Sequence, residues 1–191
     1  MGPTLAAKGF AVLALDLPCH GERPGEPLSI FDGQQPFSNL RKAVIDVRQC
    51  LDLAEVRPEI NRKAGITLVG YSLGCWISSY TGAADDRIKA MVLMVGGVFS
   101  SRSGGRRNPD AAALDVRQAI RRFGGRPLLM LNGKSDFLVS PDSAKQLFAA
   151  ALEPKKQIWY DSGHLLPAEA YADAAEWIDE TICGSGADQK P

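Results

Sequence analysis

Continuous runs of apolar residues alternate along the chain with stretches in which apolar residues recur every three or four positions. The continuous runs are typical of strands that are buried on both faces of a parallel sheet. The predicted strands cover residues 10–15, 66–69, 89–95, 127–131 and 157–160. Since strands and helical stretches alternate, we predict an α/β fold whose parallel sheet carries helices on both faces.

Helical periodicity is clearest between the first two predicted strands, where four apolar residues fall on one face. They are Leu40, Val44, Val47 and Leu51. Other helices are predicted at residues 73–80, near 115–123, after 140 and around 171–182. In the helix after residue 140, Ser140 suits the N-cap position and Pro141 suits the first turn. The carboxylate of Asp142 suits the positive end of the helix dipole. The chain has no internal repeat or linker, so we predict a single domain over residues 1–183 and a flexible tail at 184–191.

The charge balance and the apolar runs of the chain bear on which binding partners and which cell compartment are expected. Among 191 residues, Lys and Arg number 22, and Asp and Glu also number 22, which leaves no net charge. This balance argues against nucleic acid or an anionic membrane as the main partner. No apolar run approaches the roughly 18–20 residues of a membrane span, and the N-terminus lacks the basic-then-apolar order of a signal peptide. We therefore expect a cytoplasmic protein.

The four cysteines do not suggest a metal site. Cys19, Cys50, Cys75 and Cys183 have no metal-ligand spacing, either with one another or with the two histidines. Free thiols in a reducing compartment are the expected state. The sequence therefore predicts no metal and no cofactor.

The strongest chemical motif is Gly70-Tyr71-Ser72-Leu73-Gly74, which follows a predicted strand and precedes a predicted helix. It matches G-x-S-x-G, in which a tight, strained turn lifts a serine hydroxyl above the sheet. The glycines at both ends of the motif are expected to let the strand and the helix approach closely. Ser72 is the candidate nucleophile, and the amide of Leu73 is the candidate donor to a developing oxyanion.

A serine hydroxyl is a poor nucleophile unless a base removes its proton. In a parallel sheet, functional groups gather at the carboxyl ends of the strands. His164 follows the last predicted strand, and Asp136 follows the strand before it. An acid there would orient the imidazole and stabilise its charged form. Asp161 is a rival acid, but it lies too close in sequence to His164 to come from a separate strand end.

With these residues, the stretch from about Leu5 to Ile182 resembles the α/β-hydrolase family from its fourth strand onward. The run Leu15-Asp16-Leu17-Pro18-Cys19-His20-Gly21 is similar to the family's D-x-x-G-H-G loop, with Cys19 where glycine is usual. The resemblance implies a catalytic triad formed by Ser72, Asp136 and His164. It is closest to the compact esterase-like and dienelactone-hydrolase-like branches. The dienelactone enzymes use cysteine as the nucleophile, so a serine at that position points to the esterase-like side.

The resemblance also implies strands that this chain does not show before residue 10. One of them lies, in the family, between the strands matched by residues 10–15 and 66–69, and the loop after it supplies a second oxyanion amide. Residues 1–9 resemble the end of the helix that follows that loop. We therefore expect an N-terminally truncated fold with a gap, an unpaired edge or a rearranged pairing beside the first strand.

Other side chains have competing interpretations. His20 suits a structural role in its turn better than a place in the pocket. Cys75 is expected in the core, and so are Trp76 and Phe99, for which lining of an acyl pocket is the alternative. A group of arginines belongs either to a solvated loop or to recognition of an acidic substrate group. It consists of Arg102, Arg106 and Arg107.

These residues predict a serine hydrolase that cleaves a carboxylic ester, or less readily a thioester or amide, through an acyl-enzyme. Its partner is a small-molecule ester, and no oligomeric state follows from the sequence. The alternative is a catalytically weak or inactive remnant of the fold, because losing one oxyanion donor typically costs about 10²–10³ in rate. A third, weaker alternative is acyl transfer or a related peptidase activity.

Overall fold

The computed structural model describes residues 1–23, 36–98 and 115–184, and one parallel sheet organises them. The strands are β1 (Ile66–Tyr71), β2 (Ile88–Met94), β3 (Leu128–Gly133) and β4 (Lys155–Tyr160), paired in that order. The described helices are α1 (Gly2–Ala7), α2 (Pro36–Val56), α3 (Leu73–Ala84), α4 (Val116–Phe123), α5 (Pro141–Ala150) and α6 (Ala168–Cys183), with a 3₁₀ turn at Arg62–Ala64. The predicted α/β fold with a parallel sheet is confirmed.

The strands β2 and β3 lie in the middle of the sheet and are buried on both faces. Along β2, Met91 and Leu93 belong to a cluster with α3, α4 and α5. Val92 and Met94 belong to a second cluster with α1 and α6. Burial of each such side chain stabilises the fold by roughly 1.5–3 kcal/mol. The continuous apolar runs therefore reflect helices on both faces of these strands, as predicted.

Residues 10–17 differ from the prediction of a first strand. They pair with no strand of the described chain, and Val12 and Leu13 are 45% and 53% exposed. Within the described ranges β1 pairs only with β2, and Val69 is 37% exposed, so β1 is an edge strand and is not fully buried. The prediction of a strand at 10–15 is wrong, because an extended apolar segment becomes a strand only when a neighbour satisfies its amides and carbonyls.

The gap, unpaired edge or rearranged pairing was expected beside residues 10–15, which form no strand; among the described residues, the unpaired edge belongs to β1 instead. Residues 1–9 contain a helix, α1; that it is the end of the helix after the oxyanion loop stays a prediction. Leu5 of this helix is buried in the cluster that contains α6. Lys8, directly after α1, forms an ion pair with Asp179 of α6, with 2.6 Å between Nζ and Oδ2. α1 is thus held against α6 by apolar and charged contacts.

The helices α2 and α5 follow their predicted patterns. Of the four apolar residues on one face of α2, Val47 and Leu51 are buried, and the other two are partly buried. The Ser140 hydroxyl caps α5 by accepting a hydrogen bond from the amide of Ser143 at 3.2 Å, and Pro141 is the first helical residue. Apolar periodicity and capping residues therefore located both helices.

Four residues discussed above lie outside the described residues. They are Phe99, Arg102, Arg106 and Arg107. The predicted tail lies outside them as well, from residue 185 onward. Of the helices in the described ranges, none combines the length and the apolar character needed to cross a bilayer.

Candidate active site

Ser72 occupies the sharp turn between β1 and α3. Its backbone has φ 50° and ψ −110°, a sparsely populated conformation that costs a non-glycine residue about 1–3 kcal/mol. The amide of Ser72 donates to the carbonyl of Met94, the last residue of β2, at 2.9 Å. The neighbouring strand therefore helps to hold the strained turn that carries the serine.

Only one of the two motif glycines is required for close approach of strand and helix. A Cβ at Gly70 would meet the carbonyl of Gly74 and lie 2.7 Å from the amide nitrogen of Cys75. A Cβ at Gly74 would meet no described atom within 4 Å. The expectation that both glycines permit the approach is therefore wrong for Gly74, because the space beside its Cα is open.

The loop that carries His164 passes from the end of β4 over the end of β3. The amide of Ser135, after β3, donates to the carbonyl of Ser162 at 3.0 Å. A Cβ at Gly133 would lie 2.6 Å from that same carbonyl oxygen. The missing side chain at Gly133 thus allows the histidine loop to lie directly against β3.

Three side chains from three strand ends form one chain of hydrogen bonds. Nε2 of His164 lies 2.9 Å from Oγ of Ser72, and Nδ1 lies 2.8 Å from Oδ2 of Asp136. The side chain of Asp136 is 1% exposed and that of His164 is 15% exposed. The structure therefore brings together the three residues that the sequence singled out, although they follow β1, β3 and β4.

The contacts of Asp136 decide which imidazole nitrogen carries the proton. Its Oδ1 accepts hydrogen bonds from the amides of Leu138 and Val139, both at 2.9 Å. A carboxylate only accepts hydrogen bonds, so Nδ1 of His164 is the donor to Oδ2. Nε2 is then left as an acceptor, and in this tautomer it can take the proton of Ser72.

The amide of Leu73 lies at the beginning of α3, directly after Ser72. The first four amides of a helix have no partner within the helix, and a helix N-terminus favours negative charge. This amide can therefore donate to an oxygen that becomes negative beside Ser72.

Asp161 and His20, which the sequence left outside the triad, both lie in exposed surroundings. The side chain of Asp161 is 87% exposed and forms an ion pair with Lys134 at 2.7 Å. His20 is exposed, and its Nδ1 lies 3.0 Å from the carbonyl oxygen of Pro18, which fits the structural interpretation. Beside it, Cys19 has φ 63°, a conformation that glycine adopts without steric cost. This explains why glycine is usual at that position of the loop.

Cys75 lies in the core, as expected, directly behind the serine turn. Its Sγ, with one proton to donate, lies 3.2 and 3.0 Å from the carbonyl oxygens of Gly70 and Met94. Burial raises the pKa of this thiol far above its usual range, so it stays neutral and does not compete with Ser72 as a nucleophile. In the described ranges, no group of three or more His, Cys, Asp or Glu is arranged to hold a metal ion.

Trp76 also packs against the core cluster, where it is partly buried. Its indole Nε1 donates to the carbonyl of Gly97 at 2.8 Å. Buried indole groups usually find such a partner. Trp76 therefore packs against the core while part of its side chain stays exposed; the alternative that it lines an acyl pocket stays a prediction.

Tyr71 is a residue of the site that sequence reasoning missed. Its hydroxyl donates to the backbone carbonyl of His164 at 2.6 Å and accepts from the amide of Leu166 at 3.2 Å. These partners lie 93 and 95 positions further along the chain. Apart from its place beside Ser72 in the motif, no signal in the sequence indicates this role.

Comparisons with known proteins bear on the family and the fold of the chain. Residues 3–190 match the family described as the Alpha/beta hydrolase family. Comparison with curated proteins gives no match. Among solved structures, the protein TT1662 from Thermus thermophilus is 23% identical, with a TM-score of 0.80 over 94% of this chain and 80% of that one.

Two solved esterases are also similar. A cold-adapted esterase from an Arctic intertidal metagenomic library is 22% identical, with a TM-score of 0.76 over 95% of this chain and 74% of that one. An acetyl xylan esterase from Paenibacillus sp. R4 is 17% identical, with a TM-score of 0.78 over 95% of this chain and 69% of that one. At such identities the likeness establishes the fold and leaves the substrate open.

Proposed function

Because this chain belongs to the alpha/beta hydrolase family, we propose that it hydrolyses carboxylic esters through an acyl-enzyme formed on Ser72. The observation that carries the proposal is the hydrogen-bond chain from Oγ of Ser72 through His164 to the buried Asp136. Such a chain couples removal of the hydroxyl proton to stabilisation of the resulting imidazolium, which a serine nucleophile requires.

In the acylation step, Oγ of Ser72 attacks the ester carbonyl carbon while Nε2 of His164 takes the hydroxyl proton. The carbonyl oxygen becomes negative and accepts a hydrogen bond from the amide of Leu73. The C–O bond to the alcohol then breaks, and the imidazolium returns its proton to the departing oxygen. The acyl group remains on Ser72, and Asp136 keeps the imidazole oriented throughout.

In the deacylation step, water replaces the alcohol. His164 takes a proton from the water while the oxygen of the water attacks the acyl carbon. The same proton then passes from His164 to Oγ of Ser72 as the carboxylic acid leaves. The net reaction is ester plus water to acid plus alcohol. Nε2 of His164 accepts a proton at the start of both steps, so the same atom serves as the base in each.

Replacement of Ser72 by alanine tests the proposal. With p-nitrophenyl acetate, Ser72→Ala is expected to lower kcat by at least about 10³-fold, because the nucleophile and its activating hydrogen bond are both lost. Ser79→Ala is a matched control in the helix that follows Ser72, since the Ser79 hydroxyl donates to the carbonyl of Cys75 at 2.7 Å. Ser79→Ala should hydrolyse the ester at close to the wild-type rate. Full activity in Ser72→Ala would overturn the assignment.

A second candidate is a folded remnant that turns over esters slowly or not at all. The edge of β1, which is unpaired among the described residues, favours it, because by the family resemblance a strand at that edge leads to the second oxyanion donor. One missing donor typically lowers kcat by about 10²–10³-fold. An inactive remnant would show the circular dichroism and cooperative unfolding of a folded domain, yet hydrolyse esters no faster than Ser72→Ala does.

A further inference from the structure

We infer that Tyr71 is a positioning residue that fixes the imidazole of His164 over Ser72. This inference rests on the proposed ester hydrolysis at the same site. The hydroxyl of Tyr71 contacts the backbone on both sides of Leu165, through the His164 carbonyl at 2.6 Å and the Leu166 amide at 3.2 Å. The residue beside the nucleophile therefore holds the loop that carries the base.

The histidine loop has a separate anchor on each side of His164. Upstream, the carbonyl of Ser162 accepts from the amide of Ser135 at 3.0 Å. Downstream, the hydroxyl of Tyr71 holds the loop as described above. Because the two anchors lie on opposite sides of the histidine, each of them restricts where the imidazole can lie.

The ring of Tyr71 is itself held in place. Its edge-to-face contact with the imidazole of His164 has a centroid distance of 6.1 Å and an interplanar angle of 81°. On α6, Tyr171 stacks with it at 6.4 Å, with the planes 2° apart. Burial raises the pKa of the Tyr71 phenol, so the hydroxyl remains a hydrogen-bond donor at neutral pH. A rigid donor of this kind can control the position of a neighbouring loop.

Tyr71→Phe removes the hydroxyl and keeps the ring. We expect kcat for p-nitrophenyl acetate to fall about 10- to 100-fold, because small errors in the position of a base are costly, with KM little changed. The pH profile of kcat/KM should also change, since the contact of the imidazole with Asp136 is loosened. A merely structural tyrosine would alter stability and leave both the profile and the kcat of the folded protein unchanged.

Tyr160→Phe is the matched control. Tyr160 belongs to the same apolar cluster as Tyr71, and its hydroxyl bonds to Asp173 of α6 at 2.6 Å. Loss of this hydroxyl should lower stability to a similar degree while kcat and the pH profile stay close to wild type. Equal losses of kcat in the two variants, or none in Tyr71→Phe, would overturn the positioning role.

Proton NMR separates this inference from the proposed function, because the chain has only two histidines and a His20→Ala variant assigns their signals. We expect the Nδ1 proton of His164 to give a slowly exchanging, low-field signal in wild type that weakens in Tyr71→Phe. If the signal weakens in Tyr71→Phe but the wild-type chain has no esterase activity, the proposed function is contradicted and the positioning role is supported. An unchanged signal would overturn the positioning role.

We also propose that Phe137, Leu138 and Leu165 form a leaving-group rim that selects esters of apolar alcohols. This second proposal likewise rests on ester hydrolysis at Ser72. The three side chains are 84%, 62% and 81% exposed, respectively. Exposure of large apolar groups beside a reactive site marks a surface that excludes water when a ligand binds.

Residues of the rim adjoin the base and the acid of the site along the chain. His164 returns its proton to the departing alcohol, so that alcohol must lie over the imidazole. Leu165 directly follows His164, and the amide of Leu138 donates to Asp136 at 2.9 Å. The amide of Leu73, which stabilises the acyl oxygen, comes from a different strand end. Apolar contacts on the rim therefore favour the alcohol part of the ester.

A series of alkyl acetates from ethyl to hexyl acetate tests the rim. In wild type, kcat/KM is expected to rise about two- to fourfold for each added methylene, as apolar surface leaves water. Leu138→Ser and Leu165→Ser should reduce this slope. A matched control is Leu152→Ser, since Leu152 is 52% exposed and lies between α5 and β4, at the amino end of the sheet. The control should retain the wild-type slope.

Ethyl esters of increasing acyl length form the complementary series. For these substrates, the change of kcat/KM with each added methylene is expected to be the same in the rim variants as in wild type. A flat acetate series, or rim variants that change the acyl series instead, would overturn the alcohol assignment while ester hydrolysis stands. Binding of the free alcohols 1-butanol to 1-octanol, followed by NMR, needs no turnover. An inactive chain that binds octanol through Leu165 would contradict the proposed function and support the rim.

Discussion

At the scale of single residues, Asp136 and Asp161 show that surroundings matter more than residue type. Asp136 is buried and accepts hydrogen bonds from two backbone amides and His164, whereas Asp161 is 87% exposed and faces Lys134. A buried carboxylate acts through a low local dielectric, and an exposed one is screened by water. In the sequence, the two acids were separated because Asp136 follows a strand of its own, whereas Asp161 follows the same strand as His164. The amide contacts of Asp136 depend on loop geometry that no spacing reveals.

Asp136→Asn is expected to lower kcat about 10³- to 10⁴-fold with little change in KM, because an amide can donate to Nδ1 of His164 and so favour the wrong tautomer. Steady-state kinetics with p-nitrophenyl acetate measures the loss. Asp161→Asn is the control and should leave kcat close to wild type. A large loss in Asp161→Asn with none in Asp136→Asn would reverse the assignment of the acid.

At the scale of elements, apolar runs predicted burial better than they predicted pairing. The central strands β2 and β3 were found because their side chains are buried on both faces. Residues 10–15 have the same apolar pattern but no pairing partner among the described residues, and they form no strand. A pattern records which environment suits a segment, whereas pairing also depends on a neighbour elsewhere in the chain.

The turn between β1 and α3 gives a prediction about its two glycines. Gly70→Ala should lower the free energy of unfolding by about 1–3 kcal/mol or more, because its Cβ would lie against backbone atoms of α3 that cannot easily move. Gly74→Ala should be neutral or raise stability by up to about 1 kcal/mol, as alanine favours the helix. Urea unfolding measures both variants. Equal destabilisation by the two would show that the open space beside Gly74 does not exist.

At the scale of the whole molecule, Asp85 connects α2 to the amino end of the sheet. Its side chain is 5% exposed and contacts Arg87 at 2.6 Å and Arg48 of α2 at 3.2 Å. Hydrogen bonds from Arg87 are the main reason that the pKa of Asp85 falls to about 2, although burial opposes the shift. The carboxylate of Asp85 is therefore more favourable in the folded chain than in the unfolded chain.

A pKa lowered by folding adds stability that is present above the unfolded value of 3.8 and is lost as pH falls toward about 2. We expect Asp85 to contribute on the order of 2 kcal/mol at neutral pH. Asp85→Asn should therefore be less stable than wild type at pH 6, and the difference should shrink as the pH is lowered to 3. Urea unfolding at both pH values measures it, with exposed Asp86→Asn as the control. A difference between Asp85→Asn and wild type that stays constant with pH would contradict the assignment.

The central claim, that the hydroxyl of Ser72 is activated by His164, is tested most directly by covalent labelling with a fluorophosphonate. Intact mass and peptide mapping would follow the reaction across a range of pH. We predict a single label on Ser72 and no label on Ser72→Ala. A folded chain that stays unlabelled at every pH, or that carries the label on another residue, would contradict the claim.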